Sequence, residues 1–170
     1  MAIVDAILME LEQEAKTTQR VLERIPEDRL SWRPHPTSFS LGQLAMHIAA
    51  GQGLIANIVR EDVHEVNIPP QSEATSRKEV LEALAQGTAG AKETLRNMND
   101  ARMMATWTAT KNGKTLMSVP RVVFIRSIMM NHIYHHRGQL AVYLRMLQVP
   151  VPAIYGPSAD ENPFAVSASA

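Results

Sequence analysis

The 170-residue chain is 45% hydrophobic and carries 17 Lys and Arg against 17 Asp and Glu, so it has material for one sizeable core and a formal charge of zero. That balance leaves no field to attract a polyanion, which argues against nucleic acid as a partner. Without cysteine, disulfides, cysteine nucleophiles and thiolate metal ligands are excluded, and any metal site must use nitrogen and oxygen donors.

Asp5, Glu10, Glu12 and Glu14 interrupt the opening segment where a signal peptide needs an apolar core, and no span approaches the roughly 20 apolar residues of a membrane crossing. The expectation is a soluble, cytoplasmic protein with no membrane partner. From Val4, the positions Ile7, Leu8, Leu11, Ala15, Thr18, Leu22 and Ile25 recur at intervals of three and four, the stripe of a first helix that Pro26 stops. A second helix starts at Ser40, whose hydroxyl can cap while Gln43 reaches back, and Leu41, Leu44, Ile48, Ile55 and Val59 follow. Gly51 and Gly53 each weaken that helix by about 1 kcal/mol relative to alanine, which close approach of a neighbouring helix or a ligand would explain.

Residues 62 to 75, with Pro69 and Pro70, read as a surface connection. Ser76 with Glu79 marks another capping box, and Val80, Leu84, Thr88, Ala91, Leu95 and Met98 carry a third helix to Asn99. Lys111-Asn112-Gly113-Lys114 suits a tight turn between strands at Thr106–Thr110 and Thr115–Val119. A fourth helix enters near Pro120 and runs to about Leu147, before Pro150 and Pro152 forbid continuation. The expected fold is all-α, a four-helix bundle over residues 1–148 with a small β-hairpin between the third and fourth helices. Residues 149–170 form a Pro-rich tail of the same domain, its final Val-Ser-Ala-Ser-Ala poorly ordered.

The chemistry concentrates in Asn131-His132-Ile133-Tyr134-His135-His136-Arg137-Gly138-Gln139. On the fourth helix Ile125, Met129, His132, His136, Leu140 and Tyr143 form one stripe, so both of its histidines are expected to face the core and aim two nitrogens at one point. The candidate third ligand is His47, between Leu44 and Gly51 and among the small residues Ala45, Ala49 and Ala50. Three protein nitrogens and one open position describe a catalytic rather than a structural metal site. Plainer readings stand beside this: a lone core histidine such as His47 ordinarily hydrogen-bonds to a carbonyl or hydroxyl, and histidines four apart also arise by chance. His135 competes with His136, but its stripe of Asn131, Gly138 and Gln139 looks less buried, so His136 is preferred.

His35 and His64 are expected in solvated loops. Arg137 and Gln139 are candidates for orienting a substrate carboxylate or a water. Each also has a simpler reading, Arg137 as a surface ion pair and Gln139 as a contact between helices, with Gly138 permitting close packing. Trp32, Trp107 and the 10 methionines read as core filler more readily than as a pocket lining. The run from Tyr155 to Glu161 reads as a surface turn or as a tail folded back over the pocket mouth.

The run His132-x-x-x-His136-Arg137-Gly138-Gln139, with the upstream Ser-Leu-Gly-Gln-Leu-Ala-Met-His47, resembles the DinB/YfiT-like family of small helical proteins over nearly the whole chain. The downstream run is the specific part. The resemblance implies a four-helix bundle with an unusual connection order, a homodimer, and a divalent metal such as nickel or zinc held through three histidines, here His47, His132 and His136. Some members resemble thiol-dependent transferases or a mycothiol-dependent isomerase, and many have no established activity. The expectation is therefore a metal-dependent enzyme, a thiol-dependent S-transferase or hydrolase-like, that acts on a small-molecule substrate with a low-molecular-weight thiol as co-substrate in the first case. A non-catalytic metal-containing module for ligand binding or stress response is the alternative, and a purely structural bundle is the third. The lack of His-Glu-x-x-His argues against the usual metalloprotease arrangement.

Overall fold

The structure, a computed structural model, describes residues 2–165. The terminal Val-Ser-Ala-Ser-Ala, expected to be poorly ordered, lies outside them. Helix α1 (Ile3–Leu22) buries Val4, Ile7, Leu11, Thr18 and Leu22 along the anticipated stripe and ends one turn earlier than Ile25. Pro26 is followed by a short 3-10 turn at Glu27–Arg29. Helix α2 (Leu41–Ile58) opens on the expected reciprocal cap: Ser40 Oγ accepts from the Gln43 amide and Gln43 Oε1 accepts from the Ser40 amide, both at 3.0 Å.

Helix α3 (Arg77–Arg96) lies against α2. The approach is closest at Gly53, where a Cβ would sit 2.8 Å from the Gly87 Cα, so glycine at this crossing lets two backbones touch. Gly51 is different, since a Cβ there would meet only Ile133 Cδ1 at 3.5 Å. The cap of α3 also departs from expectation. Ser76 Oγ accepts from the Glu79 amide at 3.1 Å, but the Glu79 carboxylate reaches to Thr75, accepting from its amide and its hydroxyl at 2.7 Å.

The chain is predominantly helical but not all-α. The connection after α2 contains a strand, β1 (Val63–Glu65), which pairs in parallel with β2 (Thr106–Lys111), and β2 pairs antiparallel with β3 (Lys114–Pro120). His64 therefore lies on a strand and not in a loop. The turn is as expected, with Asn112 and Gly113 at φ of 51° and 73°, the doubly left-handed geometry that asparagine and glycine tolerate. Between α3 and β2 a short helix, α4 (Asp100–Met104), turns the chain. Arg121 ties this end together. Fully buried at 0% exposure, it donates to the Val59, Glu61 and Arg102 carbonyls at 2.7, 2.8 and 2.9 Å and to Asp62 Oδ1 at 2.7 Å.

The last helical run comprises α5 (Arg121–Phe124), a π-helical turn at Ile125–Met130, and α6 (Asn131–Met146). The wide π turn changes the phase of everything beyond it. The buried face passes from Ile125 and Met129 to Ile133, Arg137, Leu140 and Leu144, while His132, His136 and Tyr143 stay half-buried. The histidines thus do not face the core as the regular stripe predicted; they flank it by one residue. Helix α1 packs on α3 and α6, and α2 packs on α3 and α6. The core divides into one apolar cluster around Leu22, Leu44, Ile48, Leu84, Ile133 and Leu140 and a second around Leu11, Leu95, Trp107, Phe124, Ile125 and Met129.

Candidate metal centre

His47 on α2 and His132 and His136 on α6 meet in the cleft between these helices. His132 Nε2 lies 3.3 Å from His47 Nε2 and 2.9 Å from His136 Nε2, and one nitrogen from each ring falls within 4.8 Å of the others. The rings stand nearly perpendicular to one another, with centroids 4.4 to 4.9 Å apart. Two nitrogens bound tetrahedrally at 2.0–2.1 Å from one ion would lie roughly 3.3 Å apart, so the spacing suits a shared cation.

The outer nitrogens decide what the inner ones can do. His47 Nδ1 is 2.8 Å from Gln71 Oε1, and His136 Nδ1 is 2.7 Å from Gln139 Oε1. An amide oxygen only accepts, so in the neutral form of both rings Nδ1 carries the proton and Nε2 presents a lone pair. Both lone pairs point at His132 Nε2, which has at most one proton to offer. A cation at their focus satisfies all three, and an amide on the far nitrogen is the kind of support that orients metal-binding imidazoles.

Burial, reinforced by the imidazoles of His136, His47 and His135, pushes the His132 ring down to about 4. Burial likewise lowers His136, partly offset by its hydrogen bond to Gln139. Both rings are therefore neutral at pH 7, the form that ligates metal.

The remaining candidates separate clearly. Exposed His135 accepts through Nε2 from Gln139 Nε2 at 2.8 Å, so Gln139 spans His135 and His136 and acts on the ring of His136. His35 lies in an exposed loop, 2.8 Å from Thr37 Oγ1, and His64 Nδ1 is 3.0 Å from Glu61 Oε2. Arg137 is neither at the surface nor beside the triad's nitrogens. At 1% exposure it pairs with Glu14 at 2.7 Å and donates to Thr18 Oγ1 at 3.1 Å and Tyr155 Oη at 2.5 Å, with its guanidinium over the rings of Tyr134 and Tyr155. Gly138 permits no close packing, since a Cβ there would meet nothing within 4 Å.

The tail does fold back, though onto α1 and α6 through Tyr155–Glu14, Glu161–Arg20 and Asp160–Arg145 contacts. The cavity beside His47 and His132, about 510 Å³, is instead walled by the segment Asn67–Ser72 together with Met46, Leu54 and Ile55. Gln71 is the site residue that sequence reasoning missed. A glutamine after Pro69-Pro70 in a connection carries no local signal of its partner 24 positions away.

Comparison with known proteins agrees with this architecture. The DinB family model matches residues 2–163. Across 161 residues the chain is 26% identical to the uncharacterized protein YrdA of Bacillus subtilis (strain 168), covering 93% of this chain and 91% of that protein. The fold is similar to that of a DinB-like protein from Bacillus cereus ATCC 10987, with a TM-score of 0.72 at 24% identity over 91% of this chain and 98% of the other. It is also similar to the DinB-like protein YjoA of Bacillus subtilis, with a TM-score of 0.68 at 21% identity over 88% and 97% of the two chains. The chain belongs to the DinB family.

Proposed function

We propose that this DinB-family chain holds one divalent ion, nickel or zinc, through His47, His132 and His136, within a four-helix bundle of the DinB/YfiT type that includes the folded-back tail. The observation that carries this reading is the convergence of three Nε2 atoms, two of which, on His47 and His136, are left with free lone pairs by the Gln71 and Gln139 contacts on the far side of their rings. A bound divalent ion would supply Lewis acidity at the open position, lowering the pKa of a water or a thiol enough for attack near neutral pH. The residues of the chain do the rest. The imidazoles fill three positions, Gln71 and Gln139 hold two of the rings, and Met46, Leu54 and Ile55 give the cavity apolar walls that limit water.

With no carboxylate in the ligand set, a divalent ion keeps its full positive charge and stabilises an anionic incoming group, hydroxide or thiolate; the family resemblance favours the thiolate. A thiol-dependent S-transferase is the reading preferred over a hydrolase. Its substrate is a small electrophile, its co-substrate a low-molecular-weight thiol, and its assembly the homodimer that the family resemblance implies. Turnover of thiol and electrophile pairs that requires added nickel or zinc and disappears in His132→Ala tests it. The one carboxylate among the cavity's lining residues, Glu79, already accepts from the Thr75 amide and hydroxyl, which sustains a second reading, a metal-containing module that binds a small ligand without chemistry. That reading gains if ligands raise the melting temperature of the metal-loaded protein while no pair turns over.

A further inference from the structure

Beside the histidine cavity lies a second recess of about 320 Å³, and its lining is almost wholly apolar. Trp107, 1% exposed, and Phe124 stack at 3.8 Å to form its floor. Ile58, Met117 and Ile128 rise around them, Ile128 being carried there by the π-helical turn. The rim holds two large hydrophobic side chains left in solvent, Leu116 at 59% and Ile68 at 82% exposure. Isolated exposed leucines are ordinary, but exposed apolar rims around an aromatic floor mark binding sites.

The two recesses adjoin. Ile55, Asn67 and Ile68 line both, so the segment after β1 forms a common wall between the histidine cavity and the aromatic floor. Each volume matches a small-molecule site, and each is concave, whereas a second copy of the chain would call for a broader, flatter face.

We infer that the two recesses form one bipartite site for an amphiphile, a small molecule with a metal-ligating polar head and an unbranched aliphatic chain. The head lies at His47 and His132, and the chain passes Asn67 and Ile68 to rest on Trp107 and Phe124. The head half rests on the metal reading above; the chain half does not.

The test titrates the full-length chain, zinc-loaded and metal-free, with n-alkyl hydroxamates, whose heads ligate divalent metals, and with n-alkanols, whose heads do not. Affinity is expected to rise roughly threefold to fourfold per methylene in both series until the recess is full. In a Trp32→Phe background, Trp107 emission should respond only to the longer members. Leu116→Asp should abolish the rise while leaving the shortest hydroxamate bound as before. Affinity that is flat with chain length, or a rise indifferent to Leu116→Asp, overturns the inference. A wild type that sediments as a dimer, is dissociated by Leu116→Asp and ignores long alkanols also overturns it. If alkanols rise with length while zinc adds nothing to hydroxamate binding, the chain site stands and the metal reading falls.

Discussion

His136 Nδ1 lies 2.7 Å from Gln139 Oε1, one helical turn along α6, and this contact determines which of its nitrogens remains free. Were the ring to flip, the lone pair would turn away from His132. Loss of such a support typically costs 10–100-fold in metal affinity. Gln139→Leu is therefore expected to weaken zinc binding by about that factor while the fold persists, since Gln139 is exposed. Competition against a chromogenic chelator reads the affinity, and circular dichroism reads the fold.

Arg137 and Glu14 form a buried ion pair whose other contacts are to Thr18 and Tyr155. Removing one partner strands the other, at a cost of about 3 kcal/mol. Arg137→Ala should shift the urea midpoint accordingly, whereas Arg137→Met combined with Glu14→Gln should lose much less. Equal losses in the two variants would mean that packing, and not the stranded charge, dominates.

The glycines make opposite predictions. Gly53→Ala forces a methyl group to 2.8 Å from the Gly87 Cα and should destabilise the protein by about 1 to 3 kcal/mol. Gly138→Ala meets nothing and should stabilise α6 by about 0.5 to 1 kcal/mol. Thermal melts of the two variants check both signs.

Acid should destabilise the metal-free protein through its histidines. In the unfolded chain His132 titrates near 6.5, and in the fold near 4, so between those values the unfolded state binds a proton that the native state refuses. Stability is then full above about pH 6.5 and falls as the pH drops toward 4; the lowered His136 acts in the same direction. Urea midpoints of metal-free protein across that window should decline, and His132→Asn should flatten the decline.

Local signals explain most of what the sequence disclosed. The Ser40–Gln43 cap and the Asn112-Gly113 turn are each decided by neighbouring residues, and Pro26 limits the first helix, which ends at Leu22. The triad was legible because spacing on one helix narrows the choice and His47 was the histidine left on another.

What was missed is non-local. β1 is three residues long, Val-His-Glu, with its apolar residue exposed, and is held by pairing to β2 and by Arg121 on Asp62. The burial of Arg137 depends on Glu14, 123 positions away, and the half-exposure of His132 and His136 depends on the π turn, which no periodic stripe anticipates.

The central claim is tested most directly by metal content after loading with zinc and removal of excess, for the wild type and the His47→Ala, His132→Ala, His136→Ala and His135→Ala variants. One ion per chain is expected in the wild type and in His135→Ala, and loss of that ion in each of the other three. A wild type that retains no ion, or a set in which His135→Ala empties the protein while His136→Ala leaves it filled, would contradict it.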